Sequence, residues 1–317
     1  MNYKKAVKYN LLSIFVFTSI IHPTKSPGKQ SEYIVFNIQK DSFSILTWNV
    51  FMLPKIASLS KEIGNTKLEE RAKEIAEYLY HSEYDIIVLQ EVFNKKGYKI
   101  LKEKLKSKYP YISDPCNDNH LIKTNSGLVL FSMFPIDNFK SLKFSDCSSS
   151  DCLSNKGAFV AGFTINHRNF RIIGTHLQSD YSNMSEYATI RVKQLKQIVD
   201  GFKINLNDHH FTNIFCGDFN ISKNDTTQYD YLLRSLQSTN FETSCCNYTW
   251  QDYYLRKNEK HIYDYCLVNQ EDMKDHIEQR ILFNTNNKFR IKPSDHFPVE
   301  LKLNLANEKL LTQNSVN

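Results

Sequence analysis

Asp85-Ile86-Ile87-Val88-Leu89-Gln90-Glu91-Val92 is a run of β-formers that stops on an amide and a carboxylate. Such a run reads as a buried strand whose last polar residues stand at the rim of a sheet. The pattern recurs along the chain at Thr47-Trp48-Asn49, Gly174-Thr175-His176, Gly217-Asp218-Phe219-Asn220, Tyr263-Asp264-Tyr265 and Ser294-Asp295-His296, most of them after apolar stretches such as Asn213-Ile214-Phe215-Cys216. Folding two sheets together would gather these ends at one rim. Carboxylates, amides and two imidazoles would meet there. Oxygen-rich clusters suit a hard cation such as Mg²⁺ and imidazoles supply acid–base capacity, which together are the parts needed to hydrolyse a phosphate ester.

Periodicity places strands at 42–50, 85–92, 128–131, 158–165, 170–175, up to Asp218, 263–268, 280–283 and 298–305, and helices at 68–80, 98–106, 186–202 and 229–236. Ala72, Ile75, Ala76 and Leu79 share one face of the first helix; Ile190, Leu195, Ile198 and Val199 mark the third. Alternating strands and helices argue an α/β or α+β fold. No linker, repeat or low-complexity tract divides the chain, so residues 27–317 read as one domain.

The order Asn, Glu, His, Asp-x-Asn, Asp-Tyr, Ser-Asp-His, from Phe43 to Leu303, resembles the DNase I-like superfamily of Mg²⁺-dependent phosphodiesterases, phosphatases and nucleases. Within it, Asn49-Val50-Phe51-Met52-Leu53-Pro54, Asp151-Cys152-Leu153-Ser154-Asn155-Lys156-Gly157 and Gly174-Thr175-His176-Leu177-Gln178-Ser179-Asp180 look like segments of the bacterial secreted neutral sphingomyelinases. That resemblance implies a four-layer α/β sandwich of two packed, mostly antiparallel sheets with helices outside. It also implies hydrolysis of sphingomyelin to ceramide and phosphocholine.

Glu91, fixed at a rim by its strand, is the expected principal Mg²⁺ ligand, with Asn49 helping to hold the metal or a phosphate oxygen; Mn²⁺ or Co²⁺ would be the substitutes. His296 is the expected general base. Asp264 or Asp295 would orient it, and the resemblance favours Asp264, leaving Asp295 nearer the metal. Asp218 and Asn220, two apart on an extended segment, would hold the attacking water, and His176 would donate to a phosphate oxygen. Asp151 and Lys156, from the sphingomyelinase-like loop, are expected at the mouth of the site, and Arg191 and Gln194 in structural roles.

Residues 1–26 have the charge and apolar pattern of a signal peptide: Lys4, Lys5 and Lys8 precede the run Leu11 to Ile21. A secreted protein is therefore expected. Taking the four lysines of that segment from the 40 basic residues leaves 36 against 34 acids, a mature charge of about +2. A chain so close to neutral has no electrostatic footprint for polyanions, so no nucleic-acid partner is expected and a secreted nuclease is the weaker reading. A phospholipase C acting on other choline lipids is the other alternative. Between Asp264 and Asp295 the aromatics Tyr265, Phe283 and Phe289 are scattered. Many bacterial sphingomyelinases carry a long hairpin with an aromatic tip there, so a monomer with weak peripheral contact to sphingomyelin in membranes or micelles is expected, unless another loop such as Tyr253-Tyr254-Leu255 substitutes. Of the seven cysteines at least one must stay unpaired within the chain. Cys147 and Cys152 either close a small ring or remain reduced, and Cys216 and Cys266 read as inert core residues.

Overall fold

The computed structural model describes residues 40–54, 67–117, 123–181, 184–240, 248–251, 259–269, 277–282 and 289–305. The signal-peptide assignment, Phe283 and Tyr253-Tyr254-Leu255 fall outside them.

One sheet is built from β1 (Ser42–Met52), β2 (Ile86–Val92), β3 (Tyr111–Ile112), β4 (Val129–Ser132), β12 (Ile277–Ile281) and β13 (Val299–Asn304), in the spatial order β12-β13-β1-β2-β4-β3. The other holds β5 (Asn138–Lys143), β6 (Gly157–Ile165), β7 (Arg168–His176), β8 (Phe211–Asp218) and β11 (Asp264–Asn269), ordered β11-β8-β7-β6-β5. A short ladder pairs β9 (Trp250–Gln251) with β10 (Lys260–His261). The only parallel pairs among these strands are β1 with β2 and β7 with β8; all others are antiparallel, as expected.

Strands buried on both faces explain why the apolar runs are continuous rather than alternating. In β2, Ile86 and Val88 enter the cluster between the sheets while Ile87 and Leu89 face the opposite side. In β8, Ile214 and Cys216 point inward and Phe215 outward. The outer face of the first sheet is covered by α1 (Leu68–His81) and α2 (Lys95–Leu105), through Ala72, Ile75, Ala76, Leu79, Leu101 and Leu105. The second is covered by α3 (Met184–Phe202) and α4 (Thr226–Ser235), through Leu195, Ile198, Tyr229 and Leu232. Helix, sheet, sheet, helix is the expected four-layer sandwich.

Local chemistry sets the boundaries. Asn94 caps α2 by accepting from the backbone N–H groups of Lys96 and Gly97, so the helix begins three residues before its apolar periodicity does. The last antiparallel edge strand starts at Ile277 rather than Arg280, pairing Ile277 with Leu303 and Ile281 with Val299. Its inward residues are Ile277, Gln279 and Ile281, and the buried Gln279, which donates to Asn240 at 3.0 Å, hides the alternation. β5 is an exposed edge with lysines and no periodicity to read.

Cys147 and Cys152 form a disulfide. Cys216 and Cys266 are register partners across β8 and β11, buried, with sulphurs 2.8 Å apart.

Candidate active site

The topology carries the polar strand ends to one rim. Because β1 runs parallel to β2, and β7 to β8, Asn49, Glu91, His176 and Asp218 leave their sheets at the same end. Asp264 opens the antiparallel β11 directly opposite Asp218, and Asp295 and His296 precede the antiparallel β13. Gly217 makes the approach possible: its φ is +152°, and a Cβ there would lie 2.0 Å from the Thr175 carbonyl oxygen of the neighbouring strand.

Asn49 ties the two sheets together. Its Nδ2 donates to Glu91 Oε1 and to Asp218 Oδ2, each at 3.1 Å, while its Oδ1 accepts from the Phe51 backbone N–H. In this arrangement Asn49 positions two carboxylates, and its oxygen, which accepts one N–H, keeps a second lone pair for the metal contact expected of it. Ser294 Oγ donates to the Asn49 carbonyl at 2.6 Å and accepts from the His296 N–H, fixing the Ser-Asp-His string against β1. The Trp48 indole donates to the His296 carbonyl.

His296 Nδ1 lies 2.8 Å from Asp264 Oδ2, and its Nε2 is 3.7 Å from Asp218 Oδ2. The first contact is a hydrogen bond that places the proton on Nδ1 and leaves Nε2 as the acceptor in the neutral ring. The second is too long for a direct bond and leaves room for a water touching both groups. Burial opposes charge on the ring, but Asp264, Asp218 and Asp295 outweigh it and raise His296 to about 10, so in the metal-free protein the ring is an imidazolium at neutral pH; a divalent cation beside Asp295 would oppose that charge and favour the neutral ring that base catalysis requires. Asp218 is raised to about 6, by burial first and then by Asp264. Ligand atoms of Asp218, Asp264 and His296 all lie within 4.8 Å of one another, a spacing that a metal could use. The direct His296–Asp264 bond makes acid–base work the better use of this trio.

Glu91 is half-buried with φ +60°, a left-handed conformation that a non-glycine residue holds only where its surroundings insist. One oxygen takes the Asn49 amide, and the other, Oε2, is buried without a hydrogen-bond partner. Burial and then the like charge of Asp295 raise Glu91 to about 7. An unpartnered carboxylate oxygen beside a second carboxylate is a poor place for two anions and a good one for a hard divalent cation. Glu91 and Asp295 thus fit the cation expected of them. Asp295 Oδ2 also accepts from the Trp250 indole at 3.2 Å.

Three expectations need revision. Asp151 and Lys156 are not at an exposed mouth: they form a buried ion pair of 2.7 Å. The Lys156 ammonium also donates to the Leu177 carbonyl, to Ser179 Oγ and, at 3.0 Å, to His176 Nε2. His176 is consequently pushed well below its ordinary value, by burial first and then by Lys156, so it is a neutral ring. Its proton sits on Nδ1, which is buried without a partner, and that atom rather than Nε2 is the available donor. Finally, Asn220 is not on extended backbone. Its φ is +51°, its N–H donates to Asp218 Oδ1, and its side chain donates to the Leu177 carbonyl. Asn220 therefore shapes a turn that orients Asp218.

Arg191 and Gln194 are structural, as expected: Arg191 pairs with Asp180 at 2.7 Å, and Gln194 accepts from the Gln178 N–H. The sequence did not single out Thr249, whose Oγ1 accepts from the Tyr263 and Asp264 N–H groups, or Trp250, because the two-residue strand that Thr249 precedes and Trp250 opens has no periodicity to display.

Residues 46–296 match the endonuclease/exonuclease/phosphatase family. The chain belongs to this family. Among its members the chain is 30% identical to sphingomyelinase C of Leptospira interrogans over 291 residues, which cover 80% of this chain and 50% of that protein. It is 29% identical to sphingomyelinase C of Bacillus cereus, over 63% of this chain and 65% of the other, and 25% identical to phospholipase C of Staphylococcus aureus, over 81% and 86%. The chain spans about half the length of the Leptospira relatives. Its fold superposes on a Staphylococcus aureus beta toxin variant with bound magnesium ions at a TM-score of 0.70 and 21% identity, covering 83% of this chain and 99% of that one. Sphingomyelinase C of Streptomyces griseocarneus gives 0.67 at 20% identity, covering 84% and 100%.

Proposed function

We propose that this chain is an exported, divalent-metal-dependent phosphodiesterase that hydrolyses sphingomyelin to ceramide and phosphocholine. The observation that carries the proposal is His296, held by Asp264 through Nδ1 with Nε2 turned toward Asp218, beside the unpartnered Oε2 of Glu91. Similarity to proteins named sphingomyelinase C supports the substrate.

A water between His296 Nε2 and Asp218 would lose its proton to the imidazole as its oxygen attacks phosphorus. Asp264 and Asp218 stabilise the imidazolium that results, and Asn49 and the Asn220 turn keep Asp218 aimed. His176 Nδ1–H is the donor for developing negative charge, and Lys156 fixes that tautomer rather than meeting the substrate. A divalent cation on Glu91 and Asp295 would supply neutralisation of charge on the phosphoryl oxygens. The ceramide alkoxide leaves, taking a proton from the imidazolium or from solvent.

Purified protein incubated with sphingomyelin vesicles, phosphatidylcholine vesicles and plasmid DNA, each with Mg²⁺ or EDTA, tests the proposal. Phosphocholine release from sphingomyelin, abolished by EDTA, is expected. Nicking of DNA without lipid hydrolysis overturns it, and equal turnover of both lipids broadens the substrate to choline lipids in general.

A further inference from the structure

Trp250, His261 and Tyr263 form a stack of rings that the chemistry above does not use. Ring centroids are 5.0 Å apart for His261 and Tyr263, 5.7 Å for Trp250 and Tyr263, and 5.9 Å for Trp250 and His261, with interplanar angles of 21°, 45° and 24°. All three are part-exposed, and neither Trp250 nor Tyr263 belongs to any of the apolar clusters that hold the described fold together. Aromatic rings that stack on one another while keeping part of their surface exposed are available to a ligand.

The stack is joined to the site by direct bonds. Trp250 pairs with His296 as an isolated β-bridge, its indole N–H donates to Asp295 Oδ2, and Gln251 N–H donates to the Asp295 carbonyl. Tyr263 is the residue before Asp264, and Thr249, the residue before Trp250, accepts from the N–H groups of both. Burial and then the charges of Asp180 and Asp218 raise the Tyr263 phenol, which puts it within electrostatic reach of the acidic rim. A carboxylate accepting from the indole N–H adds electron density to the ring system.

Electron-rich ring faces bordered by Asp295, Asp264 and Asp218 attract a cation that carries no hydrogen-bond donor, and binding of quaternary ammonium groups by aromatic faces has that basis. A primary ammonium would be held better by a carboxylate. We propose that Trp250, His261 and Tyr263 form the subsite for the trimethylammonium of the choline headgroup and set the preference for choline over ethanolamine. This rests on the phosphodiesterase reading for the position of the phosphate, and it adds the residues that choose the headgroup.

The test compares wild type with Tyr263→Leu and His261→Leu in full-length protein with Mg²⁺, after thermal melts confirm folding. Hydrolysis of sphingomyelin and of ceramide phosphoethanolamine in the same detergent micelles gives the headgroup preference. Calorimetric titration with phosphocholine and with phosphoethanolamine gives binding without turnover. Loss of the rings is expected to cut the ratio of kcat/KM for the two lipids, and phosphocholine affinity, by about 5–30-fold, mainly through KM, with phosphoethanolamine affinity little changed. An unchanged lipid ratio and unchanged phosphocholine affinity in both folded variants overturn the inference while leaving the proposed reaction standing. If wild type hydrolyses neither lipid, the reaction is what fails, and the titrations still decide the subsite: selective, ring-dependent phosphocholine binding supports it and its absence overturns it.

Discussion

In the proposed reaction His296 is the side chain on which the chemistry turns, and its surroundings define what removal would do. Asp264 and Asp218 remain when it is cut to alanine, so the fold keeps its sheets while the proton acceptor is lost. His296→Ala is expected to lower kcat by about 10²–10⁴, the usual worth of a general base. Steady-state assay in micelles checks it, and retention of more than half the activity removes the base role. Glu91 offers a prediction with a sign. In the metal-free protein its carboxyl is raised to about 7 from the ordinary 4.5, so the fold binds more protons than the unfolded chain between those values, and its contribution to stability falls as pH rises through that window. Cation binding requires the carboxylate, so Mg²⁺ uptake near pH 6–7 should release a fraction of a proton. Titration calorimetry in two buffers of different ionisation enthalpy reads this directly. Glu91→Gln should abolish that release and raise the Mg²⁺ requirement; equal proton release by the variant would place the cation on other groups.

At the scale of elements, legibility followed burial. The strands ending on Asn49, Glu91, His176 and Asp218 were readable because both of their faces are apolar, and α1 because its buried residues keep helical spacing. β5 and the β9–β10 ladder were not, since edge and two-residue strands carry neither run nor alternation. Site residues on strand ends could be placed from sequence alone, whereas Lys156 and Asn220 could not: the ion pair of Lys156 depends on a loop closing onto β7, and the left-handed turn at Asn220 leaves no mark in an Asp-x-Asn string. Trp250 was invisible for the same reason, although its bond to Asp295 makes it part of the rim. Gly217 shows how an element boundary controls the site. An alanine Cβ would meet the Thr175 carbonyl oxygen at 2.0 Å from a φ of +152°, so β7 and β8 would have to part. Gly217→Ala is expected to cost about 1–3 kcal/mol of stability and to reduce turnover further by displacing the adjacent Asp218. Chemical denaturation monitored beside activity tests this, and a variant with unchanged midpoint would show that the strands give way without strain.

At the scale of the whole molecule the proposed lipid substrate raises the question of how this protein would meet a bilayer. None of the helices described is long and apolar enough to cross one. The aromatics between Asp264 and Asp295 are committed elsewhere: Tyr265 is buried, and Phe289 packs against Trp48 and Tyr78, with Phe283 outside the described residues. Near the site, Leu153 at 67% exposure and Tyr181 at 50% are the large apolar side chains exposed among the described residues, and Tyr181 is anchored by its hydroxyl to Asp151. Two such side chains offer far less apolar area than an inserted aromatic hairpin, so interfacial binding should be shallow. Sphingomyelin dispersed in detergent micelles is therefore expected to be hydrolysed efficiently, with weak binding to intact bilayers and low haemolysis. Vesicle co-sedimentation with Mg²⁺ decides it. Weak binding that falls further in Tyr253→Ser/Tyr254→Ser would assign the contact to that segment. Strong binding unaffected by those changes would refute the shallow contact and make Leu153→Ser and Tyr181→Ser the next substitutions, because they border the buried pair that supports His176.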